Sequence, residues 1–173
     1  MNEQIHAFTN PRLRRRTTRI ARAMESIARS PGGYWYVQKV APRIDPPLLR
    51  LTGGRVSSLY PYPVMLLTTV GAKTGLPRAL PLAFIVDGDS LILIASNYGK
   101  SSHPAWYRNL VANPEVDVLA GARSGRYSAA EITDPAERDR AWDLVDFSAG
   151  YSDYEVRAGN RKIPTVRLQR TGG

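Results

Sequence analysis

At 173 residues and 43% apolar content, the chain is long enough to bury one ordinary core and too short for two comfortable ones. It has no cysteine, which excludes disulfides, thiolate nucleophiles and cysteine zinc sites. Its two histidines, His6 and His103, are too few for a histidine-built metal centre, so no metal site is expected. The net charge of +9 is uneven: residues 1 to 30 hold seven arginines against Glu3 and Glu25, a net +5, and the other 143 residues carry the remaining +4. A cytoplasmic setting fits this composition best.

The basic arm, residues 1–33, lacks the continuous apolar stretch of a secretory signal or a membrane span. Ile20, Met24 and Ile27 fall at i, i+4 and i+7, with Leu13 one heptad earlier, so an amphipathic helix is expected there, ended by Pro31, Gly32 and Gly33. Such a helix could lie on an anionic membrane, grip nucleic acid, or pack on its own domain with its arginines in water. Residues 34–63, with five prolines and Gly53-Gly54, read as a connector with one short helix around Leu48 to Leu51.

From Val64 the pattern turns to strands. "VMLLTTV" (64–70) is followed by the loop "GAKTG", then by "ALPLAFIV" (79–86), a turn at Asp87-Gly88, and "SLILIAS" (90–96). A helix starts at Pro104, with Ser102 or His103 before it, and runs to Asn113-Pro114. "VDVLA" (116–120) and "RYSAAEI" (126–132) form a hairpin. Asp134-Pro135 opens another helix, with Glu137 as capping-box partner and Ala141, Trp142 and Val145 inward, and a last strand covers 165–168. Six short strands joined by tight turns mean antiparallel pairing, so residues 64–173 are expected to form an α+β barrel with flanking helices rather than an open parallel sheet.

Three stretches carry candidate chemistry. "GAKTG" is no P-loop, because Lys73 follows alanine and a strand comes next. It still presents backbone N–H groups with Lys73, Thr74 and Arg78, which suits a phosphate or several carboxylates, or else it is a solvated turn. "SNYGKSSHPAWYRNL" (96–110) brings hydroxyls and a helix start together. His103 is either a general acid or a helix-start residue, and Trp106, Tyr107 and Asn109 are core or ligand contacts. Tyr151, Tyr154 and Arg157 stand three apart, as phenol donors to a reducible oxygen or as aromatic packing. No serine–histidine–acid set is present to support a hydrolase.

"TTVGAKTGLPRALPL", "ASNYGKSSHPAWYRNLVANPEVDV" and "YSDYEVRAGNRKIPTVRL", in that order, resemble the deazaflavin-dependent nitroreductase family, flavin/deazaflavin oxidoreductases with an FMN-binding-like split β-barrel. The resemblance spans roughly residues 53–168. It implies hydride transfer from reduced coenzyme F-420, an 8-hydroxy-5-deazaflavin, to a quinone or nitro-type acceptor. By position, it implies that Lys73, Thr74 and Arg78 clamp the polyanionic tail with Asn109 and Trp106. It further implies that Pro81, Leu82, Ala83, Ala95 and Ser96 line the ring, and that Ser96, Tyr151 and Tyr154 hydrogen-bond the acceptor. Members that reduce bulky nitroimidazoles often carry aromatic residues where this chain has Ala83 and Ser148, and sometimes a basic residue where Asn97 stands. These departures bear on nitro reduction more than on the cofactor. The quinone reading gives the basic arm a peripheral role at the inner membrane face, with no nucleic acid partner expected. The alternatives are a split barrel using FMN or haem, and a membrane or nucleic-acid binding module driven by the arm.

Overall fold

The computed structural model describes residues 30–59, 62–145, 158–159 and 161–172. The arm helix and the loop carrying Ser148, Tyr151, Tyr154 and Arg157 lie outside the described residues.

The first described segment departs from expectation. Pro31, Gly32 and Gly33 begin a helix, α1 (Pro31–Trp35), because Ser30 caps it by accepting the Gly33 N–H at 3.1 Å and proline at the first turn lacks only a donor that would be unpaired anyway. A π-helical turn, Tyr36–Val40, leads into α2 (Ala41–Leu51), so most of the expected connector before Thr52 is helical. The Ala41 N–H reaches back to the Tyr36 carbonyl, widening the helix directly ahead of Pro42, whose ring would otherwise press on the carbonyl four residues back. Pro46 and Pro47 sit inside α2 at a local cost that tertiary packing offsets. Leu49 is fully buried against Val64 and Leu66, and the buried Asp45 carboxylate accepts the Ser58 N–H at 2.7 Å and the Ser57 hydroxyl at 3.4 Å. Gly53 and Gly54, both at positive φ, end the helix, and the Gly54 N–H bonds the Leu49 carbonyl at 2.7 Å.

Among the described residues seven strands follow: β1 (Val64–Val70), β2 (Pro77–Ala83), β3 (Ile85–Asp87), β4 (Ser90–Ile94), β5 (Glu115–Leu119), β6 (Gly125–Glu131) and β7 (Thr165–Arg170). All pairings are antiparallel, in the order β2-β1-β5-β6-β7-β4-β3. The expected single strand 79–86 is divided at Phe84. Before it, β2 pairs with β1 on one edge of the sheet; after it, β3 pairs with β4 on the other. The two outermost strands are therefore consecutive in the chain, and the sheet curls into a split barrel with Phe84 buried at the bend. Pro77 and Pro81 are tolerated because β2 is an edge strand with one pairing partner.

The interior is formed by Met65, Leu67, Leu91, Leu93, Val116, Val118, Tyr127 and Leu168, closed on one side by Trp106 and Leu110 of α3 (Ala105–Ala112). Strand periodicity turns Ile92 and Ile94 to the other face of β4, where they meet Ile132, Ile163 and Ala141 of α4 (Pro135–Val145). Both faces of β4 are covered, so it reads as a continuous apolar run. The capping box is half realised: Asp134 Oδ1 accepts the Glu137 N–H at 2.8 Å, while the Glu137 carboxylate pairs with Arg167 at 2.8 Å. Arg167 also meets Asp87 at 3.0 Å and so ties β7 to β3 and α4.

Candidate functional site

The β1–β2 hairpin holds the basic loop in a defined shape. The Gly71 N–H donates to the Leu76 carbonyl at 2.9 Å and the Gly75 N–H to the Gly71 carbonyl at 2.8 Å. A Cβ at Gly71 would lie 2.6 Å from Thr74 Oγ1 and 3.7 Å from Arg78 Cγ, so the hydroxyl and the arginine stem close over this glycine. Helix α3 fixes the loop from outside. Asn109 accepts the Ala72 N–H at 3.1 Å and donates to Thr69 Oγ1 at 3.0 Å, and Thr69 in turn donates to the Arg78 carbonyl at 3.4 Å. Asn109 thus acts on the loop through both ends of its amide. Lys73 and Arg78 are exposed and neither is ion-paired among the described residues, which leaves two cations on a preorganised hairpin.

Beside the hairpin, Pro81 and Leu82 are half-buried and Ala83 is exposed; Leu82 packs against the barrel core, and Pro81 and Ala83 lie on the opposite face of β2. The pairing Ile85↔Ile92 runs β4 toward the bend at Phe84, so Ala95 and Ser96 leave the sheet where β2 and β3 part. Ala95 is fully buried and its N–H bonds the Pro164 carbonyl at 2.9 Å; Ser96 is half-buried. Trp106, only 7% exposed, packs in the barrel core. Tyr151 and Tyr154 fall outside the described residues.

After Ser96 the backbone makes a left-handed turn, with φ of 49° at Asn97, 56° at Tyr98 and 75° at Gly99. Two consecutive non-glycine residues in this region are strained, at about 1–2 kcal/mol each. The Asn97 amide donates to the Ser102 carbonyl at 2.8 Å, and Tyr98 meets the edge of Tyr34 at a 5.9 Å centroid distance. Neither Ser102 nor His103 caps α3. Pro104 occupies the cap position, and His103 Nδ1 instead lies 3.3 Å from Arg161 Nη1. Donation from Arg161 makes Nδ1 an acceptor and assigns the ring proton to Nε2.

Arg161 lies within the motif YSDYEVRAGNRKIPTVRL, yet nothing in the sequence singles it out. It carries no spacing signal, and its partners are 58 to 66 residues away in the chain. Burial pulls its guanidinium below the usual arginine range.

Tyr107 stacks at a tilt on His103, 5.1 Å between centroids, and donates to Glu131 Oε2 at 2.6 Å. Desolvation, then the bond to Glu131 and its charge, push the phenol up to about 12. The folded state favours the neutral phenol, so this stabilisation is complete below pH ~10 and is lost as pH rises through about 12. Urea unfolding at steps between these pH values should show wild-type stability falling more steeply than that of Tyr107→Phe. Parallel curves would count against the bond.

A curled antiparallel sheet closed at a bent strand, with a cationic hairpin that makes no ion pair among the described residues, defines a split β-barrel of the kind that holds flavin-type cofactors. The family of F420H(2)-dependent quinone reductases matches residues 42–170, and the chain belongs to that family. It is therefore an oxidoreductase whose cofactor is coenzyme F-420. It is 36% identical over 134 residues to an F420H(2)-dependent quinone reductase of Mycobacterium tuberculosis, covering 74% of this chain and 89% of the relative. Among solved structures it resembles an F420-H2-dependent reductase, FDR-A, at 34% identity and a TM-score of 0.56 over 62% of this chain and 94% of that one. A second, described as a domain-swapped dimer, is 28% identical with a TM-score of 0.57, over 81% of this chain and all of the other.

Proposed function

We propose that Lys73 and Arg78 grip the anionic tail of reduced coenzyme F-420 and that the physiological acceptor is a quinone. The observation that carries this is the pair of exposed cations, free of carboxylates among the described residues, on a hairpin that Asn109 and Thr69 hold rigid. These residues fit a polyanion: no carboxylate among the described residues pairs with the two cations, and the Thr74 hydroxyl lies on the same turn. Pro81, Leu82 and Ala83, apolar and none of them fully buried, suit contact with a flat ring.

When bound, the reduced cofactor supplies a hydride, which with one proton converts a quinone to a hydroquinone. The protein's part is orientation and hydrogen bonding. The hairpin clamps the tail, β2 and the Ala95-Ser96 strand end face the ring, and Ser96, Tyr151 and Tyr154 hydrogen-bond the acceptor oxygen and settle its proton.

Fluorescence titration of the protein with coenzyme F-420, run beside FMN, tests the assignment. Saturable binding of the deazaflavin in preference to FMN is the expected result, and preference for FMN would overturn it. The arm's net charge of +5 supports a peripheral contact with an anionic membrane, where quinones partition. Co-sedimentation with phosphatidylglycerol vesicles should be lost on deletion of residues 1 to 30 and suppressed by salt. Binding that survives the deletion would remove that role from the arm.

A further inference from the structure

Arg161 engages all three of its guanidinium nitrogens without meeting a carboxylate among the described residues. Nε donates to the Lys100 carbonyl at 2.9 Å, Nη1 to the Ala95 carbonyl at 3.1 Å and toward His103 Nδ1 at 3.3 Å, and Nη2 to the Ser96 carbonyl at 2.6 Å. A half-buried cation is ordinarily compensated by an anion, and among the described residues this one is met by three carbonyls and an imidazole. The groups it joins are the end of β4, the residue after the left-handed turn Asn97–Gly99, and the residue before the α3 cap. That turn holds two non-glycine residues in a conformation they do not favour, and such strain persists only where the surroundings over-determine it.

We propose that Arg161 is a positioning residue for hydride transfer: its planar fork fixes the Ala95 and Ser96 carbonyls and so sets the geometry in which Ser96 meets the reacting groups. This rests on the reading that the Ala95-Ser96 strand end faces the cofactor ring. The fork matters beyond the charge, because its three nitrogens are held apart in one plane and each takes a different carbonyl, whereas an ammonium donates from a single nitrogen. The proposed tail clamp, Lys73 and Arg78, stands on the β1–β2 hairpin and shares no hydrogen bond with Arg161, so affinity and rate should separate.

The test compares wild type with Arg161→Lys and Arg161→Gln. The dissociation constant for coenzyme F-420 comes from fluorescence, and the single-turnover rate of hydride transfer from the reduced cofactor to a soluble naphthoquinone comes from stopped flow. The expected result is a rate lowered roughly tenfold to a hundredfold in both variants, with affinity changed by less than about threefold. Lysine should not rescue. Wild-type rates in either variant would overturn the proposal, as would rate and affinity declining together, or both variants failing to fold by circular dichroism, since each marks a purely structural role. Failure of wild type to bind coenzyme F-420 would overturn the cofactor reading and the proposal with it, whereas wild-type binding with unaltered variants would overturn the proposal alone.

Discussion

Replacing Lys73 and Arg78 together with alanine should weaken coenzyme F-420 binding by more than tenfold, a loss of about 1.4 kcal/mol or more. Both side chains are exposed and make no ion pair among the described residues, so their removal breaks no ion pair there. The double variant should accordingly keep its thermal midpoint, with stability within about 0.5 kcal/mol of wild type. Affinity and stability then separate cleanly. Because the interaction is between surface cations and a polyanion, wild-type affinity should also fall as salt rises, and the variant should show a flatter dependence. Titrations at two ionic strengths measure both effects. Unchanged affinity in the double variant would take the hairpin out of the site.

Gly54→Ala should be severely destabilising, through the fold and not through chemistry. Gly54 has φ of 77°, and a Cβ there would lie 2.6 Å from the Ala120 nitrogen and 2.7 Å from the Gly121 nitrogen. Both neighbours are backbone, so no flexible side chain can swing away. The same junction carries the Gly121 N–H to the Gly53 carbonyl at 3.0 Å, tying the end of α2 to the β5–β6 connection. Left-handed strain and backbone overlap together should cost about 2–5 kcal/mol, a large share of the stability of a domain this size. A urea midpoint within error of wild type would show that the junction yields more easily than its geometry implies. Gly75→Ala is the natural control: its φ of 66° imposes similar strain, but a Cβ would meet nothing within 4 Å.

The parts of the fold that are legible in the chain are those written in local patterns. β1 shows its observed limits in the sequence because "VMLLTTV" is an apolar run bounded by proline and glycine. The start of α4 is legible because Asp134 caps it within three residues. The basic hairpin can be located for the same reason, since both strands and the loop lie within twenty residues. Tyr107 reads as core or ligand, yet its bond to Glu131 leaves no trace in the pattern, because the two lie 24 residues apart. The proline-rich stretch misleads because proline reports the local cost of a helix and not the burial of Leu49 and Asp45 that offsets it.

By itself, then, the sequence determined most of the strands and helices from Val64 onward, where the cations sit on the β1–β2 loop, and the family to which three ordered motifs assign the chain. Those are short-range properties, set by period, capping and turn chemistry. Only the tertiary structure decided that the strand breaks at Phe84 to serve both edges of the sheet, that Asn109 braces the cationic loop, and that Arg161 gathers carbonyls from residues 61 to 66 positions away. Each depends on backbone groups that carry no residue identity, brought together by the closure of the barrel, so no pattern of side chains along the chain could announce them.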